Sequence, residues 1–304
     1  METADDGPNM SQRTTRRRFL AGGAAAALTA VAGCASTTPF VGQRLEESET
    51  LPVDDAEAVA VDTETGSVTV RTADREDVHV DIVKQSSSVT ADVTDLEFRT
   101  EHRDGRLRLF SEWTGGDPLF GSRPGMDLDV TVPSTLPVGS AGTATGAVDV
   151  AGTTGDLSVT TSTGAVEVRD VAGDVDASAT TGAVELRGVE GMAAATASTG
   201  AVEIRDVGRL GDVETATGSI DVDVPALAGD VTVEATTGSV DAALASDLDA
   251  ELRVSTTTGG ITFEGVDLDV DRREEDLVAG TLGEGGPRLD VETTTGGVTL
   301  RRLN

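Results

Sequence analysis

The sequence is short of the residues on which most reactive sites depend. Its 304 residues include no tyrosine, one tryptophan, one lysine and one cysteine, and aromatic residues make up only 2% of the chain. The two histidines, His79 and His102, have no cysteine or third histidine nearby, so a zinc site is not expected. There is no nucleophile elbow, phosphate-binding loop or histidine-based dyad. The sequence therefore predicts a protein that is not an enzyme and holds no cofactor.

Basic residues are scarce relative to acidic ones. Lys and Arg together number 23 and Asp and Glu 54, which gives a formal net charge of -31. Such a surface repels nucleic acid, so no nucleic-acid partner is expected. An acidic chain that has almost no lysine is typical of salt-loving microbes, because ~1 M salt shortens the screening length to ~3 Å. A hydrophobic content of 38% with regular alternation nevertheless predicts a folded chain.

The N-terminus predicts export and lipid anchoring. Arg16 and Arg17 precede an uncharged stretch, residues 21–33, and together these features resemble a twin-arginine signal. The stretch is too short to span a bilayer as a helix and has the length of a signal-peptide core. Val31–Cys34 resembles a lipobox, which predicts removal of residues 1–33 and lipidation of Cys34. The mature protein is then expected at the outer face of the cytoplasmic membrane.

Two further regions are predicted in the mature chain. Residues 34–52 are rich in Ser, Thr, Pro and Glu and show little apolar periodicity, which predicts an acidic tether. Residues 53–304 are predicted to form the folded domain, with its regular repeats in 141–245.

A glycine repeat organises this domain. Between Gly146 and Gly200 a glycine falls at every ninth position, and alternate glycines open near-identical Thr-Gly-Ala-Val strings 18 residues apart. Each 18-residue unit is therefore predicted to hold two short strands and two turns. Because a repeat this short cannot bury its own apolar face, it predicts an all-β, single-chain β-solenoid with coils of about 18 residues. An antiparallel meander is the alternative. The period of two within a coil predicts that Glu167, Glu185 and Glu203 lie outside and that Val175 and Ala177 line the opposite wall. The side chains predicted to lie inside are Val166, Val168, Val184, Leu186, Val202 and Ile204.

Irregular capping coils are expected at both ends. The string from Thr65 to Val68 predicts an early coil, and 289–300 predicts a last repeat after a charged excursion at 267–286. Trp113, Leu119 and Phe120 are predicted to cap the thin core, with a ligand pocket as the alternative.

Outward positions of the coils predict two lines of acidic residues. The first, the carboxylate ladder, is flanked by Arg169, Arg187 and Arg205 and consists of Asp149, Glu167, Glu185, Glu203, Asp221 and Asp241. The second lies at the other corner and offers weak candidates for a cation site: Asp156, Asp174, Asp212 and Asp230. The Gly-Gly-x-Gly-x-Asp pattern of calcium-binding solenoids is absent, so solvated faces are the favoured interpretation of both lines.

Taken together, these motifs resemble the "putative adhesin" family of β-strand-repeat surface proteins. The resemblance covers about residues 53–300 and is carried by the Thr65–Val68 string, the strand that ends at Pro133, the serial Thr-Gly-Ala-Val units and the glycine cluster before the final Thr-Gly-Gly-Val. It implies an all-β solenoid at the cell surface, a domain of unknown function with no catalytic residues to carry over.

Two classes of function follow. The favoured one is a non-catalytic surface lipoprotein that is adhesin-like, contacts envelope polymers, surface proteins or another copy of itself, and is anchored by the lipid on Cys34. The alternative is a polysaccharide lyase or hydrolase on a parallel β-helix. The repeat faces lack the aromatic residues on which sugar clefts stack rings, which argues against the enzyme.

Overall fold

The chain folds as an all-β protein, which confirms the predicted class. The computed structural model describes residues 42–87, 92–116 and 123–303. Within these ranges the only helix is one short 3-10 turn, Val93–Asp95.

The strands fall into three groups along the chain. The first group is β1 Gln43–Pro52, β2 Ala58–Thr65, β3 Val68–Ala73, β4 Asp77–Ser86, β5 Leu96–Arg103, β6 Arg106–Trp113 and β7 Gly125–Pro133. The repeat region contains β8 Val138–Thr145, β9 Val148–Ala151, β10 Leu157–Thr163, β11 Val166–Val171, β12 Val175–Thr181, β13 Val184–Thr199, β14 Val202–Thr217, β15 Ile220–Val224, β16 Val231–Thr237 and β17 Val240–Leu244. The last group is β18 Ala250–Thr258, β19 Ile261–Glu264, β20 Asp269–Arg273, β21 Leu277–Leu282, β22 Arg288–Thr295 and β23 Val298–Arg302.

The repeats stack in parallel and in register. Val166 of β11 pairs with Val184 of β13, which pairs with Val202 of β14, so that like residues 18 positions apart lie side by side. The strands form two columns, and each coil supplies one strand to each. Column one contains β8, β10, β12 and β16; column two contains β9, β11, β15 and β17; the long strands β13 and β14 pass from column two into column one. The sheet is open.

The inward positions of the repeat form a thin aliphatic core. Six side chains predicted to lie inside are at most 1% exposed: Val166, Val168, Val184, Leu186, Val202 and Ile204. Val175 and Ala177 line the opposite column and are equally buried. Valine and alanine suffice because the two columns pack closely, which explains why the repeat needs no aromatic residue.

The corner between the columns requires glycine. Gly164 and Gly182 have φ of +147° and +144°, which L residues rarely adopt. A Cβ added at Gly182 would lie 1.7 Å from the carbonyl oxygen of Gly164 in the preceding coil. The glycines therefore let the coils approach to hydrogen-bonding distance, as the Gly182 N–H donates to the Thr199 carbonyl at 2.8 Å.

The second corner departs from the expected pattern. The sequence predicted two short strands and two turns in every coil, yet β13 and β14 are each 16 residues long and run through that corner. Gly191 lies inside β13, within the register shift between Val189 and Met192, and a second shift follows between Ala193 and Ala195. The strand bends at these irregularities, so that no separate turn is needed.

The order of coils in the stack differs from their order in the chain. The last coil, β22–β23, lies between the β16–β17 coil and the β18–β19 coil, pairing in parallel with both. At the other end, the first coil, β2–β3, lies between β6–β7 and β8–β9. Both terminal repeats are thus internal: residues 289–300 form the last repeat of the chain, as predicted, but this repeat does not lie at an end of the stack.

Antiparallel strands close the two ends. β4 and β1 extend column two beyond β7, and β5 extends column one beyond β6. At the far end the predicted 267–286 excursion is a hairpin, β20–β21, that pairs with β18. Trp113 packs half-buried against the end of the core as predicted, whereas Leu119 and Phe120 lie outside the described residues.

The structure corrects the predicted tether. Residues 43–52, assigned to it from the sequence, form β1 and pair with β4 along their whole length. The prediction failed because the apolar alternation expected of a strand is interrupted in β1. Its partly covered positions, two residues apart, are Leu45, Glu47, Glu49 and Leu51, and two of these are glutamates. Lys84, 6% exposed on β4, places its Nζ 2.7 Å from Glu47 and partly compensates the charge.

Candidate functional site

The carboxylate ladder lies on the outer face of column two. Each member pairs directly with the next in the parallel register, in the order Asp149, Glu167, Glu185, Glu203, Asp221 and Asp241. Glu167, Glu185 and Glu203 keep 36–39% of their side-chain surface. They are therefore half-exposed, because neighbouring coils cover the rest of each side chain.

An arginine line beside the ladder, Arg169, Arg187 and Arg205, forms ion pairs with five of its six members. Arg169 contacts Glu167 and reaches Asp149 at 3.0 Å, and Arg187 lies 2.6 Å from Glu185 and 2.8 Å from Glu203. Each of these arginines therefore bridges two successive coils. These ion pairs offset the repulsion expected between stacked carboxylates, and together they form a lattice of ion pairs along the face.

The lattice is densest around Arg205. This side chain contacts Asp221, and it lies 2.9 Å from Asp223 and 3.5 Å from Glu203. Burial acts to lower the pKa of Arg205, but hydrogen bonds and charge interactions with Asp223 and Asp221 outweigh it and raise that pKa. The guanidinium is therefore held charged in a fixed position.

Two members of this cluster were missed by the sequence reasoning. Asp223 lies two residues after Asp221 on the same face, and the period of two could have identified it. Arg301 lies on β23 and reaches Asp221 at 3.5 Å across the small side chain of Ala243. No sequence spacing could have revealed this contact, because the last coil is intercalated.

The aspartates at the second corner have a structural role. An Oδ1 atom of each accepts a hydrogen bond from a backbone N–H of the next coil. The pairs are Asp156 with Asp174 N at 3.2 Å, Asp174 with Met192 N at 2.7 Å, Asp212 with Thr232 N at 2.9 Å, and Asp230 with Arg288 N at 2.9 Å. These carboxylates therefore cap backbone donors that the corner would otherwise leave unpaired.

No metal-binding cluster is assembled in residues 42–87, 92–116 and 123–303. Within them no three His, Cys, Asp or Glu side chains are placed to hold a metal ion. His79 lies 3.2 Å from the Thr50 hydroxyl and 3.4 Å from Asp81, while His102 is exposed on β5. The ladder and the arginine line beside it present parallel rows of negative and positive side chains on the outer face of column two.

The predicted export and lipidation residues, Arg16, Arg17 and Cys34, lie outside the described residues. The described part of the chain contains no helix with the length and apolarity needed to cross a bilayer.

Comparison with known proteins gives a family match across most of the chain. A family model described as Toastrack DUF4097 matches residues 56–301. No curated protein matches. Solved structures that are similar at low identity include the following two. A protein described as a "putative adhesin" from Bacteroides fragilis is 16% identical, with 85% of this chain and 97% of that chain covered at a TM-score of 0.43. A protein described as a "putative lipid binding protein" from Parabacteroides distasonis is 12% identical, with the same shares covered and a TM-score of 0.47.

Proposed function

This chain belongs to the Toastrack DUF4097 family, and from that premise we propose that it is a non-catalytic binding and structural module displayed at the cell surface. The stacked coils serve as a β-solenoid of about 18-residue units that projects flat, charged faces from the envelope. Contacts with envelope polymers, surface proteins or further copies of the chain would use these faces.

The observation that carries the proposal is the regularity of the ladder face. Six acidic side chains follow one another on successive coils, and arginines form ion pairs with five of them, several of which join neighbouring coils. A face fixed in this way loses little side-chain entropy when a repetitive partner docks on it. Polymers and ordered surface layers are partners with such a repeat.

Anchoring follows from the N-terminal sequence. Arg16 and Arg17 direct export by the twin-arginine route, and Cys34 becomes the lipidated N-terminus, in a halophilic organism whose salt screens the acidic surface. Replacing Cys34 by Ser should release the protein from the membrane fraction into the medium. A Cys34→Ser protein that stays with the membrane would refute the anchor.

The binding role is tested on intact cells. Chemical crosslinking followed by identification of the captured molecules should recover a defined envelope component, and the purified protein should leave surface polysaccharides uncut. Turnover of any glycan, abolished by a single Asp or Glu substitution that preserves folding, would instead establish the enzyme alternative.

A further inference from the structure

The β5–β6 hairpin carries three arginines within six residues of a chain whose net charge is -31. Its turn consists of Asp104 and Gly105, both with positive φ, so the register of the hairpin is fixed. In that register Arg103 lies directly opposite Arg106. Two like charges facing each other across a hairpin are unfavourable, so folding alone does not account for this pair.

These arginines form one wall of a groove of about 530 Å³. The floor is made of Ala60 and Ser140, which point outward from adjacent coils and have short side chains. The rest of the lining is charged: Asp62, Glu101, Arg103, Asp104, Arg106 and Arg108. We call this the arginine groove. It is locally neutral by formal charge, on a protein that is otherwise strongly acidic.

The three guanidinium groups of the arginine groove differ in what holds them. Arg108 lies 3.2 Å from Asp62 and 4.7 Å from the centre of the Phe110 ring, which fixes its position. Arg103 has only a 3.6 Å contact with Asp104, and both of those side chains are at least 76% exposed, so this pair contributes little.

Arg106 is exposed and forms no ion pair with any residue in the described ranges. Arg103 and Arg106 therefore keep N–H donors available for an anion, and they lie beside Arg108, whose position is fixed by Asp62 and Phe110.

A strip of hydroxyl-bearing residues adjoins the arginine groove on column one. Ser140 pairs with Ser158, beyond which the row reaches Asp176, and in the next row Thr160, Ser178 and Thr196 follow one another on successive coils. We call these five serines and threonines the hydroxyl strip. Hydroxyl groups both donate and accept hydrogen bonds, as sugar hydroxyls do. The strip has no aromatic face on which a nucleic-acid base could stack.

We propose that the arginine groove binds the carboxylate or sulfate groups of an acidic polysaccharide, whose sugar hydroxyls continue along the hydroxyl strip. Arg103 and Arg106 supply forked donors that match the planar carboxylate, and Glu101 and Asp62 accept from neighbouring sugar hydroxyls. This inference rests on the proposed surface-binding function and names a ligand class and a site for it.

The test compares three full-length proteins: the wild type, Arg103→Ala/Arg106→Ala, and the matched control Arg272→Ala/Arg273→Ala. The control removes the same charge from another exposed hairpin strand. Binding of fluorescent polygalacturonate and dextran sulfate is titrated in a potassium chloride concentration at which circular dichroism shows all three folded. The expected result is a dissociation constant raised about tenfold or more in Arg103→Ala/Arg106→Ala and changed less than about twofold in the control.

Several results would overturn the inference. One is failure of the wild type to bind either polyanion. Others are equal losses in the two double variants, or binding to neutral dextran as tight as to polygalacturonate. Tighter binding of single-stranded DNA or phosphatidylglycerol vesicles through the same arginines would assign the groove to a different partner. None of these results bears on whether crosslinking captures an envelope component, so the inference can fail while the proposed function stands.

Discussion

The close approach of neighbouring coils at the corner glycines can be tested by one substitution, Gly182→Ala. In Gly182→Ala the new Cβ would lie 1.7 Å from the Gly164 carbonyl oxygen and 2.5 Å from its carbon, at a φ of +144°. Such a backbone conformation costs an L residue about 1–3 kcal/mol, and forcing the coils apart adds about 1–3 kcal/mol. We therefore expect a loss of about 2–6 kcal/mol in the free energy of unfolding, because the coil must move away from the hydrogen bonds that hold it.

A matched control exists in the same fold. A Cβ added at Gly260 would have no atom within 4 Å, and the φ of Gly260 is not positive, so Gly260→Ala should change stability by less than about 0.5 kcal/mol. Guanidinium denaturation in molar salt, followed by far-ultraviolet circular dichroism, measures both. Equal midpoints for Gly182→Ala and Gly260→Ala would refute the close approach of the coils.

Three other predictions concern hydrogen bonds, buried charge and salt. The Thr161 hydroxyl donates a hydrogen bond to the Gly146 carbonyl at 3.1 Å, so Thr161→Ala should lower the free energy of unfolding by about 1 kcal/mol. Ala179 occupies the equivalent position of the next coil, and Ala179→Thr should raise that free energy by a similar amount, about 1 kcal/mol. Denaturant midpoints that do not move in opposite directions would contradict this. Burial and the charge of Glu47 raise the pKa of Glu49 against the opposing effect of Lys84. Glu49 therefore contributes stability that is fully present below pH 4.5 and is lost as pH rises through its raised pKa. Glu49→Gln should flatten this part of a plot of melting temperature against pH, and an unchanged plot would count against the argument. Dilute buffer should lower the melting temperature relative to molar salt because the carboxylates repel one another, and an unchanged temperature would remove the halophile argument.

The repeated features of the fold could be predicted from the sequence because each coil imposes the same local rules. The valines at alternate positions and the glycine at the first corner recur every 18 residues, and the structure places Val166 and Val184 side by side as that spacing requires. The ladder and its flanking arginines follow from the same period. Their ion pairs then depend only on side-chain length.

What could not be predicted depends on contacts between distant parts of the chain. The strand β1 could not be predicted because Glu47 and Glu49 interrupt its apolar pattern. Lys84 partly compensates their negative charge, but this residue comes near them only because β4 pairs with β1. The arginine groove requires the β5–β6 hairpin to lie against β2, a parallel pairing that crosses about 50 residues. Arg301 joins the ladder only because its coil is intercalated.

The order of coils at the far end is the central structural claim and can be tested by disulfide trapping in a Cys34→Ser background. Asp241 of β17 lies directly opposite Thr299 of β23, whereas Thr262 of β19 lies one coil further on. The pair Asp241→Cys/Thr299→Cys should oxidise readily in the folded protein, and Asp241→Cys/Thr262→Cys should stay reduced, because a disulfide requires Cα atoms within about 7 Å. Rapid oxidation of the 241/262 pair, with the 241/299 pair left reduced, would show that the coils stack in chain order and would contradict the intercalated last coil.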